Sequence, residues 1–309
     1  MLLSALLLCA PPPLSAQGVT VAGQIRHGGQ NDRPLGGQWA VLLAIREDSS
    51  GPADSARTDA LGRYRLVLSR VDTAALYVVT TRYQDVEYFA PLEPAVAGRA
   101  QAAPIAVYDT TTAGPPIRLE GRFFNLFQPG EGGGRRMLEI VQVSNPGDRT
   151  RIAPDTANPV WKVVLPSGAT GWGAGEGNLD PEGIRLAGDT VKVFAPIWPG
   201  TTRYASYQYA LTGRTVRIPL DQWTGQLGLL LEDTTAVVSG ALLTSLGVHE
   251  VEGRRFASYR GGPLEAGSEL LVTFSRGRLT AEQLVPYIAG AAALVLAWGL
   301  WVAMRRRPV

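Results

Sequence analysis

The sequence predicts an all-β exported body that a single C-terminal helix holds at a membrane. Thirty-six glycines and 22 prolines interrupt the 309 residues, and short apolar runs recur between turn signals at a spacing typical of β-sandwiches. A long uncharged apolar run then occupies 284–304. A chain of this length suffices for two or three domains, each with its own core.

The first 16 residues, MLLSALLLCAPPPLSA, have the pattern of a signal peptide. An apolar run, a proline break and a small-residue site lead to expected cleavage before Gln17, although the start lacks a positive charge. Cys9 raises the alternative of a lipoprotein, which Leu8 disfavours because a small residue is expected there. Cys9 is also the single cysteine, so the mature protein has no disulfide, thiolate nucleophile or cysteine metal ligand.

The run at 284–304 predicts a transmembrane helix. About twenty residues at ~1.5 Å rise each span a hydrocarbon core of ~30 Å, and aromatic residues such as Tyr287 and Trp301 lie near the ends of the run, where such rings favour the interface. Three arginines in the tail 305–309 predict a cytoplasmic C-terminus. We therefore expect a membrane protein with a periplasmic or otherwise extracytoplasmic body.

The charge balance disfavours nucleic acid as a partner. The chain has 29 basic and 27 acidic residues, and three of the basic ones belong to the predicted cytoplasmic tail. The predicted body is therefore close to neutral, without the basic field that binding to phosphates requires.

The body divides by composition into two β-rich regions. Short apolar runs and turns predict one sandwich over 17–92, with 47–56 as a polar loop. A segment rich in Ala, Pro and Thr predicts a linker at 93–116. The region 117–275 has enough apolar runs for one large sandwich or for two small ones that meet near 200.

The stretch RTDALGRYRLVL, residues 57–68, predicts a turn that leads into a strand. Asp59 is suited to accept backbone N–H groups in an Asx-type turn, and Gly62 supplies the positive φ that such turns often need. A catalytic role for these polar residues is the disfavoured alternative. Alternation then places three side chains on one face of the strand, namely Tyr64, Leu66 and Leu68.

Three motifs in the first region form a recognisable series: V-x-G-x-I from Val21, P-L-G-G from Pro34 and T-D-x-x-G-x-Y from Thr58. The series resembles the carboxypeptidase regulatory-like domain, a transthyretin-like sandwich also grouped with carbohydrate-binding-like folds. The resemblance covers about a quarter of the chain, and it implies a non-catalytic companion module. The second region resembles, more loosely, membrane-anchored bacterial proteins that carry the same module, which assigns no residue a role.

The residues needed for catalysis are scarce. The only histidines, His27 and His249, lie far apart, and neither G-x-S-x-G nor H-E-x-x-H occurs. We expect no enzyme; a hydrolase centred on His249 is a distant alternative. GWGAGEG at 171–177 predicts a surface loop, because no helix signal follows it as a phosphate-binding loop requires.

One acidic pattern approaches that of a calcium loop. Asn178, Asp180, Glu182 and Asp189 occupy positions 1, 3, 5 and 12 of such a loop, with glycine at position 6. The proline after Asp180 and the missing flanking helices favour an ordinary polar turn. We expect no cofactor, with calcium as the alternative.

Aromatic residues supply the remaining candidates for binding. Trp172, Trp198 and Trp223 each lie beside glycine or proline, where they are suited to stack on sugars or to anchor a protein partner. Core packing is the alternative, especially for Tyr207 and Tyr209, which share one strand face. The sequence thus predicts a non-catalytic envelope protein that binds a protein partner or serves as a scaffold; binding of carbohydrate or cell wall through loop aromatics is the alternative.

Overall fold

The computed structural model describes residues 18–92, 99–130 and 132–275. The predicted signal peptide (1–16), transmembrane segment (284–304) and tail (305–309) lie outside the described residues. The fold is all-β, as predicted, and its strands form several sheets.

Within the described ranges, the structure contains no helix with the length and apolar character needed to cross a membrane.

Nine strands build an N-terminal unit, which we define as residues 18–107. They are β1 Val19–His27, β2 Arg33–Pro34, β3 Trp39–Ile45, β4 Ser50–Arg57, β5 Arg63–Leu68, β6 Leu76–Tyr83, β7 Val86–Pro91, β8 Arg99–Gln101 and β9 Ile105–Val107.

Two sheets of the N-terminal unit share one apolar core. In the first sheet, β1 pairs antiparallel with β5 and β2 and parallel with β8 and β9. The second sheet has the order β4-β3-β6-β7. Inward residues such as Leu42, Val79 and Leu66 meet in the core, and Ile105 and Val107 of β9 belong to the same core. Two strands within the predicted linker range therefore complete the first sheet.

The turn predicted at 57–68 forms. Asp59 Oδ1 accepts the backbone N–H groups of Leu61 and Arg63, each at 2.9 Å. Gly62 has φ +70°, and a Cβ there would clash with the carbonyl oxygen of Ile25. The N–H groups that Asp59 accepts, chiefly that of Arg63, hold the pKa of its carboxyl below the usual range. The inward side chains of β5 are Tyr64, Leu66 and Leu68.

Fifteen further strands build a C-terminal unit, which we define as residues 110–275. They are β10 Thr110–Thr111, β11 Arg118–Pro129, β12 Arg135–Ser144, β13 Thr150–Arg151, β14 Trp161–Val164, β15 Thr170–Gly177, β16 Ile184–Ala187, β17 Thr190–Val193, β18 Thr202–Leu211, β19 Thr215–Leu220, β20 Thr224–Leu231, β21 Val237–Gly240, β22 Leu243–Val251, β23 Arg254–Gly261 and β24 Ser268–Thr273.

A seven-stranded sheet dominates the C-terminal unit. Its order is β15-β18-β12-β11-β20-β23-β22, and it shares one core with the three-stranded sheets β14-β17-β16 and β19-β24-β21. Strands from before and after residue 200 are neighbours in this sheet, as in the pairs β12–β18 and β11–β20. One continuous core therefore serves the whole region.

Two segments expected to be loops are edge strands. Residues 50–57 pair with β3 as β4, and Pro52 lies beside an irregularity in that pairing, where a strand tolerates proline. The glycine-rich segment at 170–177 pairs with β18 as β15, with two interruptions in its register. Both strands lie at the edge of a sheet and lack an apolar alternation, so the pattern that identifies strands is missing from them.

Candidate functional site

A groove with a cavity volume of about 570 Å³ lies between the two units. One wall belongs to the outer face of the β3-β6-β7 sheet, and the other belongs to loops and strand ends of the C-terminal unit. We call this site the groove; the residues that characterise it are Leu43, Val78, Phe89, Asn178, Trp198 and Arg203.

The N-terminal wall is apolar because these strands carry hydrophobic residues on both faces. Leu43 lies opposite Val78 in the β3–β6 pairing, and Phe89 lies opposite Thr80 in the β6–β7 pairing. Their immediate neighbours in sequence face the core instead. Phe89 remains 43% exposed, so the wall presents an aromatic ring to whatever enters the groove.

Trp198 joins the two units at the base of the groove. It lies in the loop between β17 and β18, and its ring is 5.1 Å from the ring of Tyr88 and 5.7 Å, edge to face, from the ring of Phe89. It thereby packs against the core of the N-terminal unit. Aromatic pairs at these separations stabilise an interface by more free energy than the burial of their apolar area alone provides.

Arg203 is the charged group of the groove. It is only 5% exposed, its guanidinium carbon lies 3.8 Å from the centre of the Trp198 ring, and its Nη2 donates to the carbonyl of Asn178. Among the described residues no acidic side chain pairs with it, and its Nε has no hydrogen-bond partner. Burial lowers the pKa of Arg203 to about 10, which still leaves it charged at neutral pH.

Hydrogen bonds next to the groove tie the units together. The hydroxyl of Tyr88 lies 2.7 Å from Oγ1 of Thr150, and it donates to the carbonyl of Tyr108 at 3.0 Å. β10, which follows β9 closely, pairs in parallel with β13 of the C-terminal unit. The chain therefore crosses between the units as a hydrogen-bonded segment, which fixes the walls of the groove relative to each other.

A second polar cluster lies at the same junction. Asp109 Oδ1 is 3.2 Å from Nε2 of the buried His27 and accepts from Tyr83 at 3.1 Å and from Gln84 at 2.8 Å. The close approach of His27 is the main cause of the lowered pKa of Asp109. These contacts hold the segment after β9 against β1 and β6, which is a positioning role.

The most deeply buried charges lie in the core of the C-terminal unit. Arg122 donates to Glu139 at 2.6 Å, and Glu139 also accepts from Tyr207 and Tyr209, each at 2.7 Å. Burial is the largest single effect and opposes the charge of Arg122, but Glu139 together with Tyr207 and Tyr209 outweighs it and raises the pKa of Arg122. Burial also raises the pKa of both tyrosines. No cavity among those described opens onto this network, so we assign it to stability.

The three tryptophans that the sequence suggests for binding lie at different places in the structure. Trp172 lies on β15 rather than in a loop and packs against the core, with its ring 6.4 Å from that of Tyr207. Trp198 lies in the groove. Trp223 is 38% exposed and lines a shallow hollow beside Ile117. Among the described aromatic contacts none joins two of these tryptophans, so they do not form one platform.

Three of the four residues of the calcium pattern accept hydrogen bonds from other groups of the protein. Asn178 Oδ1 accepts from the backbone of Tyr204 at 2.7 Å, and Asp180 Oδ1 accepts from the backbone of Glu182 at 3.0 Å at the start of a short 3-10 helix. Asp189 accepts from the hydroxyl of the next residue. Across the parts of the chain that the structure describes, no three His, Cys, Asp or Glu side chains are grouped as a metal site.

The two histidines lie in different units. His27 is 1% exposed at the junction, whereas His249 lies on the exposed edge strand β22 with Nε2 2.9 Å from the carbonyl oxygen of Leu246.

Sequence reasoning overlooked Arg203 and Phe89. A signal for Arg203 is present, because alternation along β18 puts it on the same inward face as Tyr207 and Tyr209. An arginine on a buried face is informative. Phe89 gives no such signal, since its exposure depends on a neighbouring unit that lies more than a hundred residues later in the chain.

Comparisons with known proteins yield similar structures only. No family model matches the chain, and no curated protein matches it. Solved structures similar to parts of it include an M1 zinc metallopeptidase from Deinococcus radiodurans, with 16% identity and a TM-score of 0.32 over 51% of this chain and 42% of that chain. A 9R-lipoxygenase from Cyanothece has 15% identity and a TM-score of 0.25 over 34% and 19%, respectively. The chain thus spans less than half of either structure, and similarity this low carries no argument about function.

Proposed function

We propose that this protein is a non-catalytic, membrane-anchored envelope protein whose β-sandwich units bind a protein partner in the groove. The groove carries the proposal: it is open and mostly apolar, and Phe89 and Trp198 place aromatic rings in it. Aromatic anchors in a partly desolvated cleft are typical of the residues that dominate protein interfaces.

The architecture that we propose around the groove follows the sequence. The N-terminal unit is a transthyretin-like module of the carboxypeptidase regulatory-like type, and its two sheets with one shared core support this assignment. The region 117–275 is one large sandwich, which its continuous core supports. A signal peptide at 1–16 and a transmembrane helix at 284–304 place both units outside the cytoplasm, with the C-terminus inside.

Site-specific photocrosslinking tests this function. A photoreactive amino acid replaces Ile45 at the groove in one variant and Val237, an exposed residue on β21, in a control variant. Both variants are expressed as full chains at native level in the cells that produce the protein. We expect a discrete adduct from position 45 and none from position 237. Equal adducts from both positions, or none from 45, would contradict binding in the groove.

Carbohydrate or cell-wall binding is the second candidate, and the exposure of Trp223 beside its hollow favours it. Exposed tryptophans suit stacking on sugar rings. Retention of the full chain on peptidoglycan or on a glycan array, with loss on Trp223→Ala and not on Trp172→Ala, is the expected result for this candidate. Absence of retention would remove it.

A further inference from the structure

In the groove, the charged side chain of Arg203 has no acidic partner among the described residues. Arg203 is 95% buried, and its only described hydrogen bond runs from Nη2 to the carbonyl of Asn178, an uncharged acceptor. Stacking on Trp198 occupies only the face of the guanidinium, so the in-plane donors that Asn178 does not use have no described partner. A buried charge without an ionic partner is costly to the fold, and such costs recur where a protein is built to bind something.

Arg135 provides an internal comparison. Its guanidinium lies 3.6 Å from the centre of the Phe274 ring, much as that of Arg203 lies over Trp198, and its side chain is 12% exposed. Arg135, however, has an acidic partner, since its Nη2 lies 3.4 Å from Asp233. A carboxylate of the same chain, that of Asp233, thus neutralises a stacked and largely buried arginine. Arg203 has no such partner among the described residues, and it lines the groove.

We infer that the groove binds an extended segment of a partner protein that places one aspartate or glutamate side chain on Arg203 and apolar side chains against Phe89 and Val78. This inference rests on the proposed function and specifies its ligand. A guanidinium recognises a carboxylate through two parallel hydrogen bonds, and the outer face of a sheet offers apolar contacts at the spacing of alternate residues of an extended chain.

The rim limits the charge of the ligand. Asp85, Glu87 and Asp180 line the outer part of the groove, and all three are exposed to solvent. Water and salt screen these carboxylates far more than they screen the buried Arg203. One carboxylate that reaches Arg203 is therefore favoured. Each further negative charge of a phosphate dianion or an acidic run meets the rim carboxylates and finds no second cation among the described residues that line the groove.

Peptide selection tests this ligand. A library of random twelve-residue peptides, displayed with fused C-termini so that only side chains carry carboxylates, is selected against the full chain in detergent. We expect enriched peptides to contain a single acidic residue flanked by apolar ones. Replacing that residue by its amide, or Arg203→Met in the protein, is expected to weaken binding at least ~10-fold, whereas Arg135→Met leaves binding unchanged.

Thermal unfolding of the same variants separates a binding role from a structural one. Arg203→Met removes an uncompensated charge, so the unfolding midpoint stays equal or rises; Arg135→Met leaves Asp233 unpaired, so its midpoint falls. A fall for Arg203→Met as large as that for Arg135→Met would overturn the inference. Selected peptides that lack an acidic residue, or that bind Arg203→Met equally well, would overturn it too, while the crosslink from position 45 would still support the proposed function. If that crosslink is also missing, both proposals fail.

Discussion

Arg122 and Glu139 form an ion pair at 2.6 Å inside the C-terminal unit, and both side chains are fully excluded from solvent. Two further donors of Arg122 reach the carbonyls of Pro219 at 2.8 Å and Val164 at 3.0 Å. The pair therefore links the seven-stranded sheet to both three-stranded sheets. Each group in this network depends on the others for its hydrogen bonds.

Arg122→Met is expected to destabilise the protein by about 3–5 kcal/mol, because the carboxylate of Glu139 loses its buried counter-ion. Chemical denaturation of the full chain measures the change in unfolding free energy. The matched control is Arg217→Met, which removes an exposed arginine 3.0 Å from Glu269 and is expected to cost less than about 1 kcal/mol. Equal costs for the two variants would show that the buried network contributes no more than a surface pair.

Gly62→Ala is expected to destabilise the N-terminal unit more than Gly37→Ala. Both glycines have positive φ, +70° and +76°, so both substitutions cost roughly 1–2 kcal/mol for backbone strain. A Cβ at Gly62 additionally clashes with the Ile25 carbonyl, whereas a Cβ at Gly37 meets no atom within 4 Å. The difference between the two unfolding free energies isolates the clash, and a difference near zero would contradict it.

Asp109→Asn tests the junction cluster through its pH dependence. The folded-state pKa of Asp109 is lowered, chiefly by the neighbouring His27. The carboxylate therefore stabilises the fold above its unfolded pKa of about 3.9, and this contribution is lost as pH falls through the lower folded value. We expect wild type to exceed the variant by about 1–3 kcal/mol at pH 5. The gap should shrink as the pH is lowered below about 3.9 toward the lowered folded value. A gap that stays the same from pH 5 down through this range would contradict this role.

Tyr88→Phe and Thr150→Val are expected to be non-additive. The two hydroxyls are 2.7 Å apart, buried, and contributed by different units. Each single variant should cost about 1 kcal/mol, and a double-mutant cycle should return a coupling of at least about 0.5 kcal/mol. Additive costs would mean that this hydrogen bond does not help to join the units.

Strands with strict alternation could be predicted from the sequence, because one buried face imposes a period of two. β5 and its turn form as the pattern around Asp59 and Gly62 predicts. β4 and β15 could not be predicted, since an edge strand with solvent on most sides needs no apolar alternation. Their strand structure comes from the neighbours with which they pair.

The positions of the buried charged residues could likewise be predicted only in part from the sequence. Glu139 and Arg203 occupy inward positions that alternation predicts, although their partners could not be identified from the sequence. Arg122 faces the core because the β11–β12 register shifts between Leu119 and Gly121, and a bulge of this kind changes which face a residue occupies. The groove itself requires both units to be in place, which no local pattern encodes.

β1 is the first strand that the structure describes, yet its parallel partners β8 and β9 follow about 80 residues later. During synthesis from the N-terminus, one edge of β1 therefore stays unpaired until residue 107 has been made. An unpaired edge is open to pairing with other chains and to recognition by chaperones. Synthesis of β8 and β9, the last two strands of the N-terminal unit, thus also ends the period in which this edge of the nascent unit is open to misassembly.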